Sequence, residues 1–368
     1  MWALHGLENA LRMAWEVGWA LALGFVLSGV VQAWVPRAAL QRALGGRGAR
    51  ELTLATGLGA ASSSCSYAAI AIARSLFARG ASLASAMVFQ FASTNLVFEL
   101  GLVLWVLIGW RFTLAELVGG LVAVVLLWVV FTLLVSRSEE ERLRRRAAAA
   151  AGGHEHGSAA SGLPWRRRLR SLDAWSDVAR NVRSDVAMLW KEVAIGLLVA
   201  GYVALLPQGF FAALFVHHAP APLRLVENVL VGPVVAAAAF VCSVGNVPLA
   251  AVLWAGGSTF AGVVSFLFAD LIIVPIVSAY RRFYGGRFAA RLTLVLFGTA
   301  ALAGLAVDGL FSAAGLVPAR RPSLASIAER PVGWGTTSAL DLALACLHAA
   351  LFALTARRQM HAGDHCHT

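Results

Sequence analysis

The chain has 368 residues, 59% of them apolar and only 13% charged, with a mean hydropathy of +0.75 and a net charge of +11. Soluble domains carry about 25% charged residues, and the apolar residues here fall in blocks of roughly 18 to 25, the length that crosses a bilayer as a helix. These values exclude a soluble globular domain, and the weak alternation of a transmembrane barrel is absent. The positive charge is Arg concentrated between apolar blocks, which is the pattern of cytoplasmic membrane loops rather than of a nucleic-acid partner. Four Cys in apolar or terminal sequence make no disulfide framework.

In chain order, residues 1–14 form an amphipathic lead-in, and Trp15–Val35 is the first expected span, too long for a signal peptide. A basic loop with Arg37, Arg42, Arg47 and Arg50 follows. Leu52–Ala78 has apolar arms on either side of Ser62–Ser66, Ala84–Trp110 is a long span, and Leu114–Val135 is another. Residues 136–190, with Arg144–Arg146 and Arg166–Arg168, read as a basic, partly disordered linker ending in an amphipathic helix over Leu172–Trp190. The second half repeats the order: a span at Val193–Phe215, apolar arms around a Cys-Ser break in Asn228–Trp254, and spans at Thr259–Ala279, Leu292–Leu316 and Ser338–Thr355. The chain thus divides into an N-terminal membrane repeat (1–135), a linker (136–190), a C-terminal membrane repeat (191–316), and a section (317–368) with a loop, a last helix and a His/Cys tail.

An internal repeat underlies this order. Setting Cys65 on Cys242 aligns the chain without a gap to Ala92 and Ala269. Identities include Ser66/Ser243, Ala73/Ala250, Leu76/Leu253, Gly80/Gly257, Phe89/Phe266 and Phe91/Phe268. If both Cys-Ser elements crossed fully, the basic loops would fall on opposite sides. If both re-enter, the loops at 37–50, 136–190 and 281–291 share one side, as the positive-inside rule prefers. The expected fold is therefore an all-α polytopic membrane protein with two inverted repeats, each holding a re-entrant hairpin. It has about seven spans plus two hairpins, with nine full spans as the alternative.

Irregular backbone at membrane depth is tolerated where it lines a polar cavity, so the breaks are candidate solute sites. Their residues Ser63, Ser64, Cys65, Ser66, Cys242, Ser243 and Asn246, together with Asn95, are the candidate ligands, beside helix N-termini that suit an anion or polar group. Ser, Gly and Ala also permit close helix packing. Glu99 and Asp270 are acids inside apolar spans, a position associated with proton coupling. Asp308 and Asp341 read as interfacial. The Cys thiols could hold a soft metal, but no metal site or cofactor is assigned. An enzyme is not expected, since neither Cys has a His base in its motif.

The stretches Ala61–Ala69, Phe91–Val97, Glu99–Gly101, Val241–Ala250 and Phe268–Ile272 resemble the predicted-permease family that includes the YraQ and ArsP proteins. The resemblance covers both halves but neither the linker nor the tail. It implies a multi-pass bacterial inner-membrane permease. Its ArsP branch exports trivalent organoarsenicals and resembles a Cys-Ser-Cys arrangement, where this chain has a single Cys before each of Ser66 and Ser243. The expected function is secondary-type transport of a small solute or ion, with the linker and C-terminus cytoplasmic and homo-oligomerisation left open. The alternatives are organoarsenical or soft-metal efflux and, in another class, a non-transporting assembly or metal-sensing factor.

Overall fold

The computed structural model describes residues 2–34, 37–62, 64, 66–149, 165–203, 205, 210, 220–239, 243, 246–318 and 321, and every regular element among them is helical. The first half comprises α1 (Trp2–Trp34), α2 (Arg37–Leu44), α3 (Ala49–Ser62), α4 (Ser66–Ala78), α5 (Leu83–Asn95), α6 (Phe98–Leu107) and α7 (Trp110–Leu134). Between the halves lie α8 (Arg137–Ala149) and α9 (Trp165–Arg170), and α10 (Leu172–Val203) opens the second. Then follow α11 (Ala221–Ala239), α12 (Asn246–Ala255), α13 (Phe260–Leu267), a 3-10 turn at Asp270–Ile272, α14 (Val274–Tyr284) and α15 (Gly286–Ala313). Among the described residues α7, α11 and α15 are long and apolar enough to cross a bilayer. The protein is an α-helical polytopic membrane protein. The Ser338–Thr355 span and the His/Cys tail lie outside the described residues.

Several expected boundaries change. The lead-in and first span are one helix, α1, and the amphipathic Leu172–Trp190 helix runs on without interruption to Val203 as α10. The two lie antiparallel: Gly6 meets the Tyr202 ring, Gly29 meets Val178 and Val182, and Trp34 donates from Nε1 to the Ala174 carbonyl at 3.2 Å. Small residues let the backbones approach, and this mutual cover holds both as single rods.

The expected long spans at Ala84–Trp110 and Thr259–Ala279 are each broken. In the first, the side chains of Ser93, Thr94 and Asn95 bond back to the carbonyls of Gln90 and Phe91, the competition that ends helices. Val97 then turns extended (φ −103°, ψ 143°) before α6. In the second, the chain tightens to the 3-10 turn and Ile273 is extended (φ −61°, ψ 146°), with Pro275 in the first turn of α14.

The repeat is copied in backbone geometry. Gly80 (φ +115°) and Gly257 (φ +105°) turn the chain between α4 and α5 and between α12 and α13, conformations that suit glycine. Ser82 and Thr259 then cap α5 and α13, each accepting from the amide three residues on. The correspondence continues past the identities noted above, with a one-residue shift: extended Val97 matches Ile273, and Gly109-Trp110-Arg111-Phe112 matches Gly285-Gly286-Arg287-Phe288.

Contacts at the two ends show how the broken hairpins enter. α3 starts beside Arg47, and after α4 the chain returns to the same end, where the Ser82 amide donates to the Leu44 carbonyl at 2.7 Å. That end is rich in Arg: Glu140 of α8 pairs with Arg47 and Arg144 and accepts the Leu83 amide at 3.0 Å, while Arg291 pairs with Glu139. Arg144 also donates to the carbonyls of Phe77 and Ala81. α12 instead turns beside the start of α7, where Phe112 packs against Trp254 and Phe260. There the Thr259 amide donates to Asn228 at 2.8 Å, tying that tip to the first half of α11.

Glu140 is thus the bolt between α8, the Arg47 loop and the N-terminus of α5. Glu140→Ala removes the carboxylate that Arg47 and Arg144 share and the acceptor of the Leu83 amide, and is expected to cost on the order of 2 kcal/mol, below the 3–5 of a fully buried pair because both guanidinium groups keep some water and Arg144 keeps Glu141. Thermal unfolding in detergent checks this, with Arg291→Ala, an exposed pair, expected to shift the midpoint little.

Candidate functional site

The interruptions meet at one carboxylate. Asp270 is fully buried in the 3-10 turn. Its Oδ2 accepts from Ser66 Oγ at 2.8 Å and from Ser243 Oγ at 2.6 Å, and its Oδ1 accepts from Asn95 Nδ2 at 3.2 Å. The two serine oxygens are 3.3 Å apart, so the Cys-Ser break of one half touches that of the other. Ser66 opens α4, and Asn95 closes α5 just before the second interruption. Each donor therefore sits where a helix begins, ends or breaks.

The arrangement answers a cost. A carboxylate away from water is expensive unless it is hydrogen-bonded. All of these neighbours donate, and the N-terminus of α4 adds its positive dipole end. The surroundings allow such close approach because Ala68, Ala69, Ala92 and Ala269 are small and buried.

The other expected ligands are placed as follows. The Ser64 amide donates to the Ser93 carbonyl at 2.9 Å, and its hydroxyl donates to the Ser62 carbonyl, so it fastens the first break to α5 instead of reaching Asp270. Asn246 opens α12, fully buried, with neither amide atom hydrogen-bonded. Glu99 is the second residue of α6, and its side chain lies outside the described residues, as do Ser63, Cys65 and Cys242. Asp308 lies on α15, and Asp341 lies outside the described residues.

Some buried polar groups had no role in the sequence reading. Gln90 donates to the Tyr280 hydroxyl, joining α5 to α14. Glu116 is buried in α7, and neither of its oxygens is hydrogen-bonded. Its sequence signal is a lone acid in an apolar segment, close to the Leu114 start that hydropathy gives that segment. The helix begins a turn earlier, at Trp110, which draws Glu116 inward.

The family described as predicted permease, ArsP_1, matches residues 5–309. The chain belongs to this permease family. "Putative permease Rv2963" of Mycobacterium tuberculosis (strain ATCC 25618 / H37Rv) is 43% identical over 329 residues, covering 86% of this chain and 79% of that protein. No solved structure matches the chain. The family match includes both breaks, the 3-10 turn and nearly all of α15, so every residue of the Asp270 cluster lies within it. The protein is a multi-pass membrane permease.

The bonds to Asp270 are testable one at a time. Hydrogen bonds to a charged group contribute about 1.5–3 kcal/mol each. Ser66→Ala and Ser243→Ala are each expected to lower stability by about that much in the native background, and by clearly less when Asp270 is already Asn. Double-mutant cycles on unfolding in mixed micelles measure the difference.

Proposed function

We propose that this permease is a secondary-type transporter of a small polar solute or ion, and that its site is the junction of the two broken hairpins at Asp270. The observation that carries the reading is that Ser66 of one half and Ser243 of the other donate to the same Asp270 oxygen. A rocking of one half against the other must break one of these bonds. Alternating access around a midplane site built from interrupted helices works in this way. The hairpin tips at opposite ends of the molecule support two inverted repeats, and Asn246, with both amide atoms unpaired, is available as a further ligand. The Arg-rich end is taken as cytoplasmic by the positive-inside rule. Cys65 and Cys242, adjacent in sequence to the two serines, would line the same path, with Glu99 as a second acid along it.

Thiol labelling tests the pathway without knowledge of the substrate. With Cys346 and Cys366 changed to Ser, a small membrane-impermeant reagent is applied from one side at a time. Cys65 is expected to react mainly from the Arg-rich side and Cys242 mainly from the other. If neither reacts from either side, the junction is packed structure and the proposal fails.

A further inference from the structure

Glu116 is the buried acid that the proposed site leaves unused. It lies on the packed face of α7, one turn before Gly119 and Gly120. A Cβ at Gly119 would sit 2.6 Å from the Phe268 ring, and one at Gly120 would sit 2.4 Å from the Leu96 side chain. Leu96 follows Asn95, and Phe268 precedes Asp270 by two residues. This face of α7 is therefore pressed against the chain on both sides of the Asn95–Asp270 bond. Glu116 lies within electrostatic reach of Asp270.

The hydrogen-bond inventory separates the two acids. Asp270 is supplied by Ser66, Ser243 and Asn95, whereas Glu116 is supplied by nothing. Asn95 gives its NH₂ to Asp270 and keeps an amide oxygen that is buried and unpaired. Reversing that amide would set oxygen against carboxylate, so chemistry fixes its sense. The elements packed on α7 are α3, α5, α6, α13 and α15. Of these, α5 and α13 carry no titratable residue, and α6 carries Glu99. The remainder bring Arg50 and Glu51 at the start of α3, Arg287 and Arg291 in the first turns of α15, and Asp308 in its last turns. Arg111, in the first turn of α7, donates to the Val317 carbonyl. Among the described side chains, Asp270 is the ionisable group that bears on Glu116 from the packed side of α7.

We propose that Glu116 is a second carboxyl of the transport site and the one that carries the coupling proton, with Asp270 as the fixed anion. This rests on reading the Asp270 junction as that site. Two dry carboxylates within electrostatic reach of each other do not both stay ionised without a counter-charge. Asp270 has donors that hold its charge, so the proton resides on Glu116. When a cationic or donor-bearing solute enters, it takes over the free acceptor oxygens of Glu116 and Asn95, and the Glu116 proton leaves to water. Proton and solute then occupy the site alternately, which is the condition for exchange between them.

Infrared difference spectroscopy on the full-length protein in lipid reads the proton directly, with protons and Na⁺ as the probes. A protonated-carboxyl stretch is expected that fades as pH rises and vanishes in Glu116→Gln. It should persist in Asp270→Asn but fade at a different pH, because the neighbouring charge has gone. Should Glu116→Gln fail to assemble, Glu116→Asp is expected to displace the band in frequency. A band that survives Glu116→Gln, or is unmoved in Glu116→Asp, overturns the proposal. So does a band lost in Asp270→Asn, which would put the proton on Asp270. Bleaching of the Glu116 band by Na⁺ at constant pH supports the proposal, because a cation that enters the site is expected to release that proton. Thiol labelling of Cys65 and Cys242 reports on the pathway separately, so failure of either reading is visible without the other.

Discussion

A carboxylate buried among membrane helices has to gather its donors from the protein, because neither lipid nor bulk water supplies them. Asp270 gathers them from Ser66, Asn95 and Ser243, which lie far apart in sequence and on both halves of the chain. Satisfying it forces the hairpin breaks into contact and brings α5 against the 3-10 turn. Much of the central architecture is the geometry that this requirement imposes.

The interruptions supply the means. A continuous helix spends its backbone groups on itself and points its side chains outward from a rod. Breaking it at Ser62–Ser66 or after Asn95 frees a helix start or end, and small residues around the break let neighbours close in. Because the chain carries the unit twice, the same Gly turn and Ser/Thr cap recur at 80–82 and 257–259. Duplication lets equivalent positions diverge, so that Ser93 of one half corresponds to Asp270 of the other. The Asp270 cluster is built from a repeat and is itself asymmetric.

At the Arg-rich end another acid does related work. Glu140 neutralises Arg47 and Arg144 and accepts the first amide of α5, so α8 is docked on the membrane helices. Residues 137–149 therefore form part of the folded body, within a region that composition alone marks as a solvated linker. Charge runs look alike in sequence whether they face water or one another, and only the partner distinguishes them.

Composition and hydropathy were enough to establish an α-helical membrane protein, because a bilayer leaves the backbone few options. The aligned Cys-Ser stretches revealed the repeat, and their Ser, Asn and Asp content marked Ser66, Asn95, Ser243 and Asp270 as candidates. Which of them meet was decided by tertiary structure: hydrogen bonds join residues that no spacing rule links. Ser64 looks equivalent to Ser66 in sequence, yet it bonds to its own break and to α5. The breaks after Asn95 and before Val274 were hidden because their residues are mostly apolar, and hydropathy averages over a kink. Glu116 is hidden in sequence for a similar reason: an acid near an apparent span end reads as interfacial until packing shows which face of α7 is buried. Sequence determined the solvent and the repeated unit. The burial of Asp270 and Glu116, and the division of donors between them, came from the fold.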